Sequence, residues 1–196
     1  RRSSDLLKRS AERWKPHRFQ GKAVMRLVEN AAQCLFISPG GGKTSVTLAA
    51  FKFLRKKKLA SKMLVIAPLR PCYLVWPAEV DKWLDFEEFT YTVLHGNDKE
   101  DRLDDDVDIY IINPEGLEWL FGAETFTKAN GKKGVQLDLS RFEKLGVDTL
   151  VIDELTAFKN HQSVRFQMMK TVIRQFRRRW GLTGSPAANG LMGLFG

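Results

Sequence analysis

Short apolar runs of four or five residues punctuate this chain, and the segments between them carry apolar residues at helical spacing. The runs Cys34–Ile37, Met63–Ala67, Tyr91–Leu94, Asp108–Ile112, Thr149–Asp153 and Trp180–Thr183 predict strands. The segments Phe19–Asn30, Lys43–Lys56, Leu74–Leu84, Pro114–Phe121, Ser140–Leu145 and Val164–Phe176 predict helices, and in the last of them Val164, Met168, Val172 and Phe176 form a stripe for core packing. Because strands and helices alternate, and the strand runs are apolar without a polar face, the pattern predicts an α/β fold: a mostly parallel sheet with helices on both faces. One stretch breaks the alternation. Glu124 to Leu139 is polar and places Asn130-Gly131 between Lys128 and Lys132-Lys133, which predicts a hairpin or loop insertion, either a solvated loop or a basic finger for a nucleic acid backbone.

Two of the strand runs end in residues suited to phosphate chemistry. After Cys34–Ile37 comes Gly40-Gly41-Gly42-Lys43-Thr44, and after Thr149–Ile152 comes Asp153-Glu154. Triphosphate oxygens need several backbone N–H groups at once, so a loop that holds them must curl tightly and let the phosphates approach the main chain, which glycines permit. A helix opening at Lys43 points its positive end at the phosphates, the Lys43 ammonium reaches the outer two, and the Thr44 hydroxyl joins a magnesium shell. Asp153 would hold the magnesium, directly or through water, and Glu154 would orient or deprotonate the attacking water. The loop departs from the strict GxxxxGK[ST] form, since the residue five before Gly42 is Ile37.

Composition narrows the partners. With 196 residues and 43% apolar content the chain fits one globular domain. No stretch approaches the ~20 apolar residues of a membrane helix, so no membrane partner is expected. Arg1-Arg2-Ser3-Ser4-Asp5 leads into a charged amphipathic segment and predicts no signal peptide. Cys34 and Cys72 lack metal or redox spacing and read as reduced core thiols, and His17, His95 and His161 lack metal spacing too. The net charge of +9, from 32 basic and 23 acidic residues, favours a polyanionic partner such as nucleic acid. Lys56-Lys57-Lys58 suits the negative end of the helix that starts at the glycine loop, and Arg177-Arg178-Arg179 immediately precedes a strand.

Taken with the segments around these motifs, the chain resembles the first RecA-like lobe of a superfamily-two helicase-like ATPase, and is most similar to the Swi/Snf-type DNA translocases in their compact bacterial and phage form. Five stretches carry the resemblance. Lys15-Pro16-His17-Arg18-Phe19-Gln20-Gly21 resembles the adenine-recognising segment, and Ile37 to Thr44 sits where the family has its phosphate loop. Leu64 to Arg70, followed by Trp76, Glu79, Lys82 and Trp83, is similar to the DNA-contacting segment after the second core strand. Asp153 to Asn160 resembles the DEAH-like box with the Lys159-Asn160 of the Swi/Snf group, and Leu182 to Asn189 resembles the LTGTPxxN segment that couples nucleotide state to DNA contact. The chain departs from the pattern where Arg18 stands in place of a glutamine two residues after Pro16, with Gln20 two places on, and where Leu155-Thr156 replaces Ala-His.

The resemblance implies a RecA-like P-loop NTPase fold over residues 1–196, with ATP and Mg2+ as ligands. It implies nucleotide contacts from His17, Arg18, Gln20, Pro39, Gly40, Gly41, Gly42, Lys43, Thr44 and Ser45, magnesium held by Thr44 and Asp153, and catalysis by Lys43, Asp153 and Glu154. Arg70, Asn113, Thr183 and Ser185 are the residues expected to contact DNA or couple it to the nucleotide. The partners expected are double-stranded DNA and a second RecA-like lobe, supplied in cis or in trans, which in this family brings the arginines that stabilise the transferring phosphate. The compartment expected is a bacterial cytoplasm, or that of the host if phage-encoded, with a nucleus also compatible. Two other readings stand beside the DNA-dependent ATPase: a nucleotide- or DNA-binding regulatory module without turnover of its own, and an RNA helicase lobe.

Overall fold

The computed structural model describes residues 12–127, 131, 133–158 and 163–184. Among them the elements run α1 (Arg18–Glu29), β1 (Ala32–Phe36), α2 (Lys43–Lys56), β2 (Met63–Ile66), α3 (Leu69–Leu74), α4 (Trp76–Lys82), β3 (Tyr91–Val93), β4 (Ile109–Ile112), α5 (Leu117–Leu120), β5 (Glu124–Thr127), β6 (Lys133–Gln136), α6 (Ser140–Leu145), β7 (Thr149–Asp153), α7 (Val164–Val172) and β8 (Arg178–Thr183).

Six strands form one parallel sheet in the order β1-β8-β7-β2-β4-β3. Successive side chains on a strand point to opposite faces, so each apolar run feeds two cores. Leu64, Ile66, Tyr110, Ile112, Leu150 and Ile152 pack with α5, α6 and α7. Met63, Val65, Ile109, Ile111, Val151 and Trp180 pack with α1, α2, α3 and α4. Every residue of β2 and β4 is buried, which is why these strands read as unbroken apolar runs in the sequence. The stripe Met168, Val172 and Phe176 is buried as expected, with Val164 packed at its margin.

The strand order matters most at one edge. β8, the last strand described, slots between β1 and β7, and pairs in register with both: Leu35 with Leu182 on one side, Asp153 with Leu182 on the other. Parallel neighbours need long crossovers, so segments far apart in sequence meet at the carboxyl ends of the strands. Arg178, half-buried at the other end of β8, donates to the Val28 carbonyl at 3.1 Å and so places a cation at the negative end of α1.

Three elements differ from the sequence expectation. The helix expected over Leu74–Leu84 is the shorter α4, and a separate helix, α3, ends at Leu74; the chain breaks between them at Val75, because Pro77 lacks the N–H that a continuous helix would use and its ring crowds the carbonyl four residues back. Pro114–Gly116 and Ile173–Gln175 are tighter 3-10 turns flanking α5 and α7. The insertion does contain a hairpin: β5 and β6 pair antiparallel from Glu124 and Gln136 to Thr127 and Lys133. Of its expected Asn-Gly turn, Asn130 lies outside the described residues, as do Lys128 and Lys132.

Leu150, fully buried in β7, is the test of this core. Leu150→Ala is expected to lower the unfolding free energy by about 2–5 kcal/mol. A denaturant titration measures it, with the midpoint shifting and the slope unchanged.

Candidate active site

The chain leaves β1 at Phe36 and reaches α2 through a loop fixed at both ends. The Ile37 N–H donates to the Thr183 carbonyl at 3.1 Å, and the Gly41 N–H donates to the Ser38 carbonyl at 2.9 Å. Gly40 and Gly42 adopt φ of 77° and 79°, a left-handed backbone open to glycine at little cost. Gly42 caps α2, so the next residues lie at the positive end of that helix. The Lys43 ammonium folds back into the loop and donates to the Ile37 carbonyl at 3.1 Å. Thr44 and Ser45 are buried, and the Ser45 hydroxyl donates to the Glu79 carboxylate at 2.6 Å.

The segment ahead of the loop divides. Gln20 is buried: its Oε1 accepts from the His17 N–H at 2.9 Å, capping α1, and its Nε2 donates to the Gly41 carbonyl at 3.1 Å. Its side chain lies so close that a Cβ on Gly42 would sit 2.4 Å from Gln20 Nε2. His17 and Arg18 remain exposed, and the His17 ring stacks on Phe19. The structure therefore brings Gln20 to the loop, although it stands two places beyond where the resemblance puts a glutamine.

Across β8 lies the acidic pair. Asp153 ends β7, and one carboxylate oxygen accepts from the Trp76 indole N–H at 3.0 Å. Burial raises the Asp153 carboxyl above its ordinary range and the neighbouring Glu154 charge adds to this, while the Trp76 bond and the Lys43 charge oppose it. Glu154 holds φ at 68°, unusual for a side chain with a Cβ. It stays there because its N–H donates to the Leu182 carbonyl at 2.9 Å and its carboxylate accepts from the Thr183 hydroxyl at 3.3 Å.

Of the residues expected at DNA, the structure separates four cases. Arg70 is exposed on α3, just past the carboxyl end of β2. Thr183 is fully buried and joins the loop to Glu154. Asn113, just past the end of β4, is 5% exposed and its amide donates to Glu115 at 2.8 Å. Glu115, exposed itself, in turn pairs with Arg165 at 3.4 Å. Ser185, with Lys159 and Asn160, lies outside the described residues.

Trp76 and Glu79, in the segment that resembles the family's DNA-contacting one, reach the loop helix and the acidic pair from α4. Their spacing of three on a helix was the signal in the sequence, since it sets both on one face. As a magnesium site the arrangement fits in chemistry: one hydroxyl, Thr44, and one carboxylate, Asp153, are hard oxygen donors, and magnesium typically takes one or two carboxylates and completes its shell with phosphate and water. Among the described residues there is no cluster of three or more His, Cys, Asp or Glu that would form a self-contained metal cage.

A family model for the SNF2-related domain matches residues 19–196. Protein p41 of Acyrthosiphon pisum secondary endosymbiont phage 1 is 26% identical over 191 residues, covering 92% of this chain and 38% of that protein. Among solved structures, the Sulfolobus solfataricus SWI2/SNF2 ATPase core in complex with dsDNA superimposes with a TM-score of 0.67 at 22% identity, over 97% of this chain and 37% of that one. The UvsW helicase of bacteriophage T4 gives a TM-score of 0.57 at 16% identity, over 98% and 63%. At these identities the structural likeness shows a RecA-like α/β fold. The chain spans 38% of the phage protein it matches.

Two measurements probe this geometry. Gly40→Ala and Gly42→Ala should each cost about 1–2 kcal/mol for the left-handed backbone. Gly42→Ala should cost more, because its Cβ meets Gln20, and the excess should vanish in a Gln20→Ala background; equal costs in thermal melts would contradict the close approach. Asp153→Asn tests the buried charge. Since the folded carboxyl titrates higher than the unfolded one, the parent loses stability as pH rises through the carboxylate range up to that raised value. Asp153→Asn, without nucleotide or magnesium, should therefore match the parent in acid and equal or exceed its melting temperature at neutral pH.

Proposed function

This chain belongs to the SNF2-related domain family, and we propose on that premise that it is the ATP-binding lobe of a DNA-dependent ATPase that moves on double-stranded DNA, completed by a second RecA-like lobe in cis or in trans. The observation that carries this reading is the convergence of Lys43 and the Asp153–Glu154 pair on the two sides of β8. Its family and the S. solfataricus neighbour described with dsDNA support the choice of duplex.

In this reading Gly40 to Gly42 let the phosphates approach the main chain, and the start of α2 presents N–H groups and a positive dipole to them. Lys43 leaves the Ile37 carbonyl for the outer phosphates. Gln20, tied to Gly41, sets where the base-side segment meets the loop, and Thr44 and Asp153 would hold Mg2+. When bound, the ion neutralises charge on the phosphate oxygens. Glu154, held by Thr183, orients the attacking water and accepts its proton. The second lobe supplies the arginine, worth roughly 10³ to 10⁵ in turnover.

Arg70 on the outer face and Ser185 meet the DNA backbone, contacts that position the motor without reading sequence. The net charge of +9 adds a nonspecific, salt-sensitive attraction. Among the described residues no helix is long and apolar enough to cross a membrane, and the proposed place of action is the cytoplasm of a bacterium or of a phage-infected host.

Lys43→Ala should abolish Mg-ATP binding while leaving the thermal melt intact, and unchanged affinity would refute the phosphate-loop assignment. Steady-state hydrolysis by the parent, with and without duplex DNA and with Lys43→Ala as blank, decides where the site is completed. DNA-stimulated turnover means within this chain or by self-association; binding without turnover means on another lobe. In a two-lobed protein Glu154→Gln should keep nucleotide binding and remove turnover. Activation by duplex RNA in place of DNA would overturn the choice of partner.

A further inference from the structure

We infer that α4 is a strut that holds the phosphate loop and the metal-side carboxylate in register, with Trp76 and Glu79 as positioning residues for the nucleotide site. The inference rests on the nucleotide reading above and names a part of that site which the catalytic motifs do not contain.

The two halves of the site have a spacing problem. The loop follows β1 and Asp153 ends β7, and β8 lies between those strands. Two strand spacings amount to about 10 Å. The backbone bonds of β8 fix the halves within the sheet, yet they leave unsettled how α2, above the sheet, sits relative to the Asp153 side chain. α4 makes that connection. Trp76 and Glu79 lie three residues apart on it, hence on one face. The Trp76 indole N–H donates to Asp153 Oδ2 at 3.0 Å, and Glu79 Oε2 accepts from the Ser45 hydroxyl at 2.6 Å.

Both contacts are rigidly mounted. Trp76 is fully buried in the core beneath α2, so its ring has no room to swing. The Glu79 oxygen that receives Ser45 also accepts from the Trp83 indole N–H at 3.0 Å, which fixes the carboxylate's direction. Ser45 lies two residues after Lys43 in the first turn of α2, and a shift of Ser45 therefore carries Lys43 and Thr44 with it. A carboxylate ligand held by a donor on one oxygen is oriented for the metal, and loss of such an outer partner typically costs ten- to a hundredfold in metal affinity.

The two ends of the strut predict different losses. ATP affinity is measured by calorimetry on the 196-residue chain, once with Mg2+ and once in EDTA, with circular dichroism melts to verify folding. Trp76→Phe keeps the ring bulk and removes the donor; the affinity gained from magnesium should fall by about tenfold or more, with the EDTA value moving far less. Glu79→Ala should weaken both values together, since it releases Ser45 and the start of α2.

A Trp76→Phe protein with the parent's magnesium gain overturns the inference, and so does a loss of equal proportion in both conditions for both variants, which is the mark of general loosening. Should Trp76→Phe fail to fold, the Glu79→Ala and Ser45→Ala cycle decides: strongly non-additive losses support the strut, additive ones overturn it. A parent that binds no ATP in either condition refutes the nucleotide reading itself. That result differs from a strut failure, in which the parent binds and Lys43→Ala does not.

Discussion

The glycine loop and the acidic pair never meet through their own strands; both hang from β8. Its Leu182 carbonyl accepts the Glu154 N–H and its Thr183 carbonyl accepts the Ile37 N–H, while the Thr183 hydroxyl reaches the Glu154 carboxylate. Parallel pairing makes this possible. A parallel strand must be reached by a crossover, so the last strand can enter between the first and the seventh and bring together segments that the chain separates widely. Any displacement of the end of β8 acts on both halves at once. The segment that the family resemblance assigns to coupling, Leu182 to Asn189, begins at this end of β8.

The same edge concentrates unfavourable local terms. Glu154 takes a left-handed backbone that costs of order 1–3 kcal/mol, and burial opposes the charged form of Asp153. Neither would persist in an isolated strand end. They persist because fully buried β2, β7 and β8 side chains on both faces hold the sheet rigid, and because the N–H groups of Glu154 and Trp76 are spent on neighbours in fixed positions. The core is thus what lets a charged, strained edge exist, and the order of the strands decides which charges meet there.

Polar residues at strand ends show how far local sequence reaches. Arg70 and Asn113 occupy equivalent places, each shortly after a buried strand on the edge where the loops gather, and local reasoning treats them alike. Arg70 is exposed, whereas Asn113 is buried and donates to Glu115, which Arg165 on α7 also engages. Asn113 finds Glu115 two residues on, but Glu115 is itself held by Arg165 from 50 residues away, beyond the reach of any local pattern. Trp76 and Glu79 show the same limit. Their helical face was readable, but which side of the protein that face met depended on the break at Val75 and on where α4 settled against α2.

What the sequence determined by itself follows from local physics. Apolar runs without a polar face can only be strands covered on both sides, three glycines before Lys43-Thr44 can only curl tightly, and Asp153-Glu154 at the end of such a run can only lie at the sheet's edge. Those constraints act within a few residues and therefore survive in a linear reading. The tertiary structure alone decided that β8 separates the two motifs, that Gln20 and not Arg18 meets the loop, and that α4 braces Ser45 and Asp153. These are matters of which surfaces pack together. Packing is settled by burying both faces of one sheet at once, a condition on the whole chain that no single segment carries.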